Sequence, residues 1–167
     1  MRIEDIRLMY DYTYWASKLI CSTAGNLTNE QFWQPQSVSW GSLGGTLIHT
    51  MDSEHMWRIL LKDRIIAPRF KADDFADLAA LRQFWDQEEI AMRGFIDTLS
   101  DADLDGVVRY DTPEGPGERI MWHCLWHIVN HGMQHRSEAA VMLTNFGYSP
   151  GGLDVTRFLN LRKSGAI

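Results

Sequence analysis

The chain has 167 residues, 45% hydrophobic and 23% charged, with a formal net charge of -6, a length that suits one domain with a real core and falls short of two independent ones. Its lysines and arginines are scattered and form no stripe able to follow a phosphate backbone, so nucleic acid is set aside as a partner. Cys21 and Cys124 lie far apart with no CxxC pair, which argues against both a disulfide framework and a thiolate zinc site.

Ile6, Met9, Tyr10, Tyr12, Trp15, Leu19 and Ile20 recur mostly three and four residues apart, predicting an amphipathic helix from Ile3 to about Ala24. Its start is charged and carries no signal-peptide core, and no stretch reads as a membrane span, so a cytoplasmic chain is expected. Residues 29–42 are polar and contain Pro35, reading as a long connection with one short turn. Ser42 then caps a second helix from about Leu43 to Asp63, with Leu47, Ile48, Met51, Met56, Ile59 and Leu60 on its buried side.

Asp74 or Asp77 caps a third helix, in which Leu78, Leu81, Phe84, Ile90, Met92, Phe95 and Leu99 supply the apolar positions up to about Ser100. Val107, Val108 and Tyr110 followed by the run from Asp111 to Gly117 predict a short hairpin or an irregular loop. A fourth helix runs from Arg119 or Met121 to Asn145 with Gly147 as its stop signal, and residues 154–162 can add a short terminal one. Four long helices predict an all-α, four-helix bundle, whose interior can hold a metal or ligand site. The tryptophans Trp15, Trp40, Trp57, Trp122 and Trp126 and the methionines Met51, Met56, Met121 and Met133 are expected mainly in its core.

Six histidines occur, four of them at positions 123, 127, 131 and 135. Residues four apart share a helix face, so two adjacent rungs of this ladder can clamp one ion, while rungs eight apart, about 12 Å along the axis, cannot join them. A third ligand must come from another helix, and His49 in an apolar turn of the second helix is best placed; His55 points elsewhere, six positions on. Three neutral imidazoles leave coordination positions open to water or substrate, the pattern of a reactive zinc, nickel or iron site. For His55 or His123 alone a hydrogen-bonded core role is the expectation, and no HExxH signature supports a metalloprotease. Asp52, Glu54, Arg136 and Glu138 could orient a ligand imidazole, although exposed helix charge is the commoner role.

These features together resemble the DinB-like family of metal-dependent enzymes over nearly the whole length. The resemblance is carried by Tyr10-Asp11-Tyr12-Thr13-Tyr14-Trp15-Ala16, by Gly41-Ser42-Leu43 leading to Leu47-Ile48-His49 and to Asp52-Ser53-Glu54-His55-Met56-Trp57, and by the segment from His127 to Arg136. The tail from Gly147 to Asp154 is also similar to the family's ending. It implies a single bundle domain over residues 1–167 with up-down-down-up helices, commonly a homodimer. It also implies one divalent transition metal on His49, His131 and His135, with zinc or nickel ahead of iron or manganese. Characterised relatives in the wider superfamily look like transferases or isomerases that use low-molecular-weight thiols. The expected function is therefore a metal-dependent enzyme of thiol S-transferase type, or a hydrolase, acting on a small molecule; the alternative is a non-catalytic metal-binding dimer with a stress-related or sensing role. Ser137 and Glu138 stand where many members have glycine after the His-Arg pair, which weakens any analogy of substrate.

Overall fold

The computed structural model describes residues 1–112 and 115–167; Pro113 and Glu114, the middle of the expected turn, lie outside the described residues. In chain order the elements are α1 (Ile3–Ala24), α2 (Asn29–Trp33), α3 (Leu43–Asp63), a 3-10 turn (Ala72–Asp74), α4 (Leu78–Asp97), α5 (Asp101–Leu104), β1 (Val107–Thr112), β2 (Gly115–Ile120), α6 (Met121–Asn145) and α7 (Val155–Ser164). The fold is all-α, as the apolar periodicity predicts, with one antiparallel hairpin in which Val108 pairs with Arg119 and Tyr110 with Gly117.

Capping chemistry sets the ends of the long helices. The Ser42 hydroxyl accepts from the Gly45 N–H at 3.0 Å to open α3, and the Asp77 carboxylate accepts from the Ala80 N–H at 2.9 Å to open α4, each satisfying a donor that a first turn leaves orphaned. Beyond α6, Gly147 takes φ 89, and the Tyr148 N–H reaches back to the Leu143 carbonyl at 2.9 Å. That left-handed step is why glycine stands there.

α1, α3, α4 and α6 form the bundle: α6 packs on α1 and α3, and α4 closes the other side against the same two. Two apolar clusters fix the helix directions. One gathers Ile20, Leu47, Leu81 and Leu143, the other Tyr10, Leu61, Phe95 and Leu125. Going from the second cluster to the first, residue numbers rise along α1 and α6 and fall along α3 and α4. The connectivity is thus up-down-down-up.

The one short turn expected in the connection after α1 is the capped helix α2, whose Phe32 is buried. Other expectations need correcting. The third helix ends at Asp97, and residues 101–104 form the separate α5. Ile90 is 71% exposed, because it falls on the outer face of α4 whatever its hydropathy. Trp40, Trp126 and Met133 also stand exposed, outside the core expected of them, whereas Asp52 and Glu54 are buried.

Glu54 belongs to a polar interior. Its carboxylate accepts from the Tyr14 hydroxyl and, at 3.2 Å, from the Trp85 indole N–H. Burial pushes it up to about 7, against the pull of those two donors and the buried Arg136 charge. A folded value above the ordinary 4.5 means that the native state holds the extra proton, so this group's stabilisation is present at low pH and is lost as pH rises from about 4.5 to about 7. Glu54→Gln is expected to flatten that decline, since the amide oxygen still accepts from Trp85 while the Tyr14 hydroxyl turns to accept from the amide N–H. Urea unfolding at several pH values checks this; an unchanged slope in the variant would count against it.

Candidate metal centre

α3 and α6 face each other along the bundle, and each brings histidine to the contact. His49, one and a half turns into α3, places its Nε2 3.0 Å from the Nε2 of His131 on α6. One turn further along α6, the Nε2 of His135 lies 3.2 Å from the same His131 atom. One ligand atom from each of the three lies within 4.8 Å of the others. The structure therefore brings together His49, His131 and His135.

The donor set fits a transition metal. Ligand nitrogens about 2.0 to 2.1 Å from a tetrahedral ion stand about 3.3 to 3.4 Å apart, close to the two separations found. Burial first, then the neighbouring imidazoles and the Arg69 charge, push His49 down to about 3 and His131 to about 4. Both rings are then neutral near pH 7, with lone pairs free to coordinate.

The surroundings orient these rings. Glu138, one turn beyond His135, takes its Nδ1–H at 2.9 Å, which fixes the tautomer that leaves the Nε2 lone pair facing the other two histidines. On the opposite side Trp40 stacks on His49, with ring centroids 3.6 Å apart and planes 15° from parallel. Removing Glu138 as Glu138→Ala frees the His135 ring, and metal affinity is expected to fall between about 10-fold and 100-fold. Competition with a chromogenic chelator measures this; wild-type affinity in the variant would show that the contact orients nothing.

Asp52 and Glu138 are the two carboxylates that could have closed the coordination shell. Asp52 is taken by the loop after α3: the Arg69 guanidinium pairs with it, and the Phe70 N–H donates to it at 3.0 Å. Glu138 lies behind His135. Among the described residues, no fourth histidine, cysteine or carboxylate joins the triad. A cleft of about 440 Å³, lined in part by Trp40, His49, Arg69 and Phe70, opens beside it.

The remaining histidines lie elsewhere. His55 gives its Nδ1 to buried Glu88 at 2.8 Å, with Arg58 on the same carboxylate, so the expectation of a satisfied core group holds for it. Those partners hold Glu88 below its ordinary range although burial alone would raise it. His123 departs from that expectation: it is exposed, its ring against Trp122. His127 continues the ladder, 5.7 Å from His131 between ring centroids, but packs against Trp57 and stays outside the triad.

The sequence pattern of the DinB family matches residues 3–165. Protein DinB of Bacillus subtilis (strain 168) is 22% identical over 162 residues, covering 93% of this chain and 94% of that protein. No helix of the described residues is long and apolar enough to cross a membrane.

Proposed function

Because the chain belongs to the DinB family, we propose that it binds one divalent transition metal through His49, His131 and His135 and acts as a metal-dependent enzyme of thiol S-transferase type on a small molecule. The observation that carries this is the convergence of three imidazole Nε2 atoms with Asp52 and Glu138 both engaged elsewhere. Three protein ligands with positions left for water or substrate are the arrangement of catalytic rather than structural zinc sites. When bound, such an ion favours a thiolate over a thiol near neutral pH and so supplies a nucleophile.

The chain's own residues divide the remaining work. Glu138 holds His135, and Trp40 covers the outer face of His49 and keeps its ring aligned on the cluster. Arg69, anchored on Asp52 at the rim of the adjoining cleft, presents positive charge where an anionic group of a substrate could pair with it. A homodimer in the cytoplasm is part of the same proposal, and light scattering on purified protein tests the dimer.

The test of activity is to load purified protein with zinc or nickel, offer a panel of low-molecular-weight thiols with electrophiles, and follow loss of free thiol. The expected result is metal-dependent consumption that disappears in His131→Ala. Metal-loaded protein that neither binds nor consumes any thiol would sink the transferase reading while leaving the metal site intact.

A further inference from the structure

The upper two rungs of the histidine ladder, which the triad does not use, face a second cleft. It holds about 550 Å³ between α3, the hairpin and the first half of α6, within the range of small-molecule sites. Four aromatic side chains wall it: Trp57 of α3, Tyr110 of β1, and Trp122 and Trp126 of α6. Trp57 meets Tyr110 and His127 edge-on, with centroids 6.5 and 5.4 Å apart. Trp126 is half exposed and needs no ligand to explain it alone; four aromatics around one concavity are a different matter.

The polar lining of this cleft includes no carboxylate. Arg119, His123, His127 and Asn130 line it, and no aspartate or glutamate does, in a chain with 22 acidic residues and a net charge of -6. Arg119 has no carboxylate partner among the described residues and donates only to the Glu118 carbonyl, at 2.7 Å. A guanidinium with no carboxylate partner among the described residues, side chains able to donate hydrogen bonds along one side and flat aromatic walls suit a planar ring carrying an acidic group.

We propose that this cleft binds a small aromatic carboxylate, its ring between the Trp57 and Trp126 sides and its carboxylate on Arg119. The site does not depend on the metal reading, but it adjoins the triad: His127 lines it and stands 5.7 Å from His131.

The test is calorimetric titration of chelator-treated, metal-free protein with 2-naphthoate and with neutral 2-naphthamide, supported by quenching of tryptophan fluorescence. Saturable binding of 2-naphthoate is expected, weakened about tenfold in Trp126→Ala. Arg119→Gln is expected to weaken 2-naphthoate about fivefold and to leave 2-naphthamide unchanged. Both replaced side chains are exposed, so the variants should fold, and circular dichroism verifies that. No saturable binding, or equal affinity in the wild type and both variants, overturns the proposal. So does a dimer that dissociates in Trp126→Ala with no binding of 2-naphthoate, an outcome that gives this face to a second copy of the chain. Since the titration is metal-free, its failure and failure of the metal proposal are separately visible.

Discussion

Replacing His131 with alanine is expected to take untagged protein from about one equivalent of bound transition metal to none, read by elemental analysis. His131 is the middle donor, 3.0 Å from His49 and 3.2 Å from His135. Without it, His49 and His135 remain on different helices as a two-point site with no adjacent rung to complete a clamp. His127→Ala is the matched control: it deletes the next rung, which packs on Trp57 outside the triad, and should keep the metal. Zinc or nickel should also raise the melting temperature of the wild type and of His127→Ala but not of His131→Ala, because a ligand bound only by the native state stabilises it by mass action. Metal retained in His131→Ala would dismantle the triad. Metal lost equally in both variants would place the site higher on the ladder.

Much of this centre was legible because its signals are local and periodic. A four-residue histidine spacing survives any uncertainty in helix ends, and the turn at Leu47-Ile48-His49 lies deep inside a strongly capped helix, where register is safe. The i,i+3 spacing of His135 and Glu138 was equally readable, yet charge on a helix is so often solvated that Glu138 stood only as one of four residues able to orient a ligand imidazole, with an exposed role the commoner expectation. Burial of Asp52 and Glu54 was hidden for the same reason: both partners of each, Arg69 with Phe70 and Tyr14 with Trp85, come from other segments. Ile90, Trp126 and Met133 failed the opposite way. Hydropathy alone placed them inside, although large apolar side chains are common on surfaces. Trp40 was the largest omission, since its contact with His49 depends on the path of an irregular loop.

That loop sets the last expectation, at Gly45. Helix propensity alone favours alanine over glycine here by about 1 kcal/mol. Gly45, however, is in the first turn of α3, where an added Cβ would lie 2.1 Å from the Trp40 carbonyl oxygen and 3.3 Å from the Ser42 hydroxyl that caps the same turn. The obstruction is main chain and cannot rotate away, so the 36–41 loop has to shift by on the order of 1 Å or the cap has to open. Either cost outweighs or cancels the propensity gain, and Gly45→Ala is expected to destabilise the protein by about 1 to 3 kcal/mol net. Gly94, inside α4, is the counter-case: an added Cβ there meets nothing within 4 Å, so Gly94→Ala should be neutral or slightly stabilising. Urea unfolding of the two variants compares them directly. Displacing the loop also lifts the Trp40 ring from His49, so metal affinity should fall in Gly45→Ala and stay unchanged in Gly94→Ala. A Gly45→Ala protein as stable as the wild type would mean that the loop accommodates the methyl group freely, and Trp40 could then no longer be regarded as a fixed support for the His49 ring.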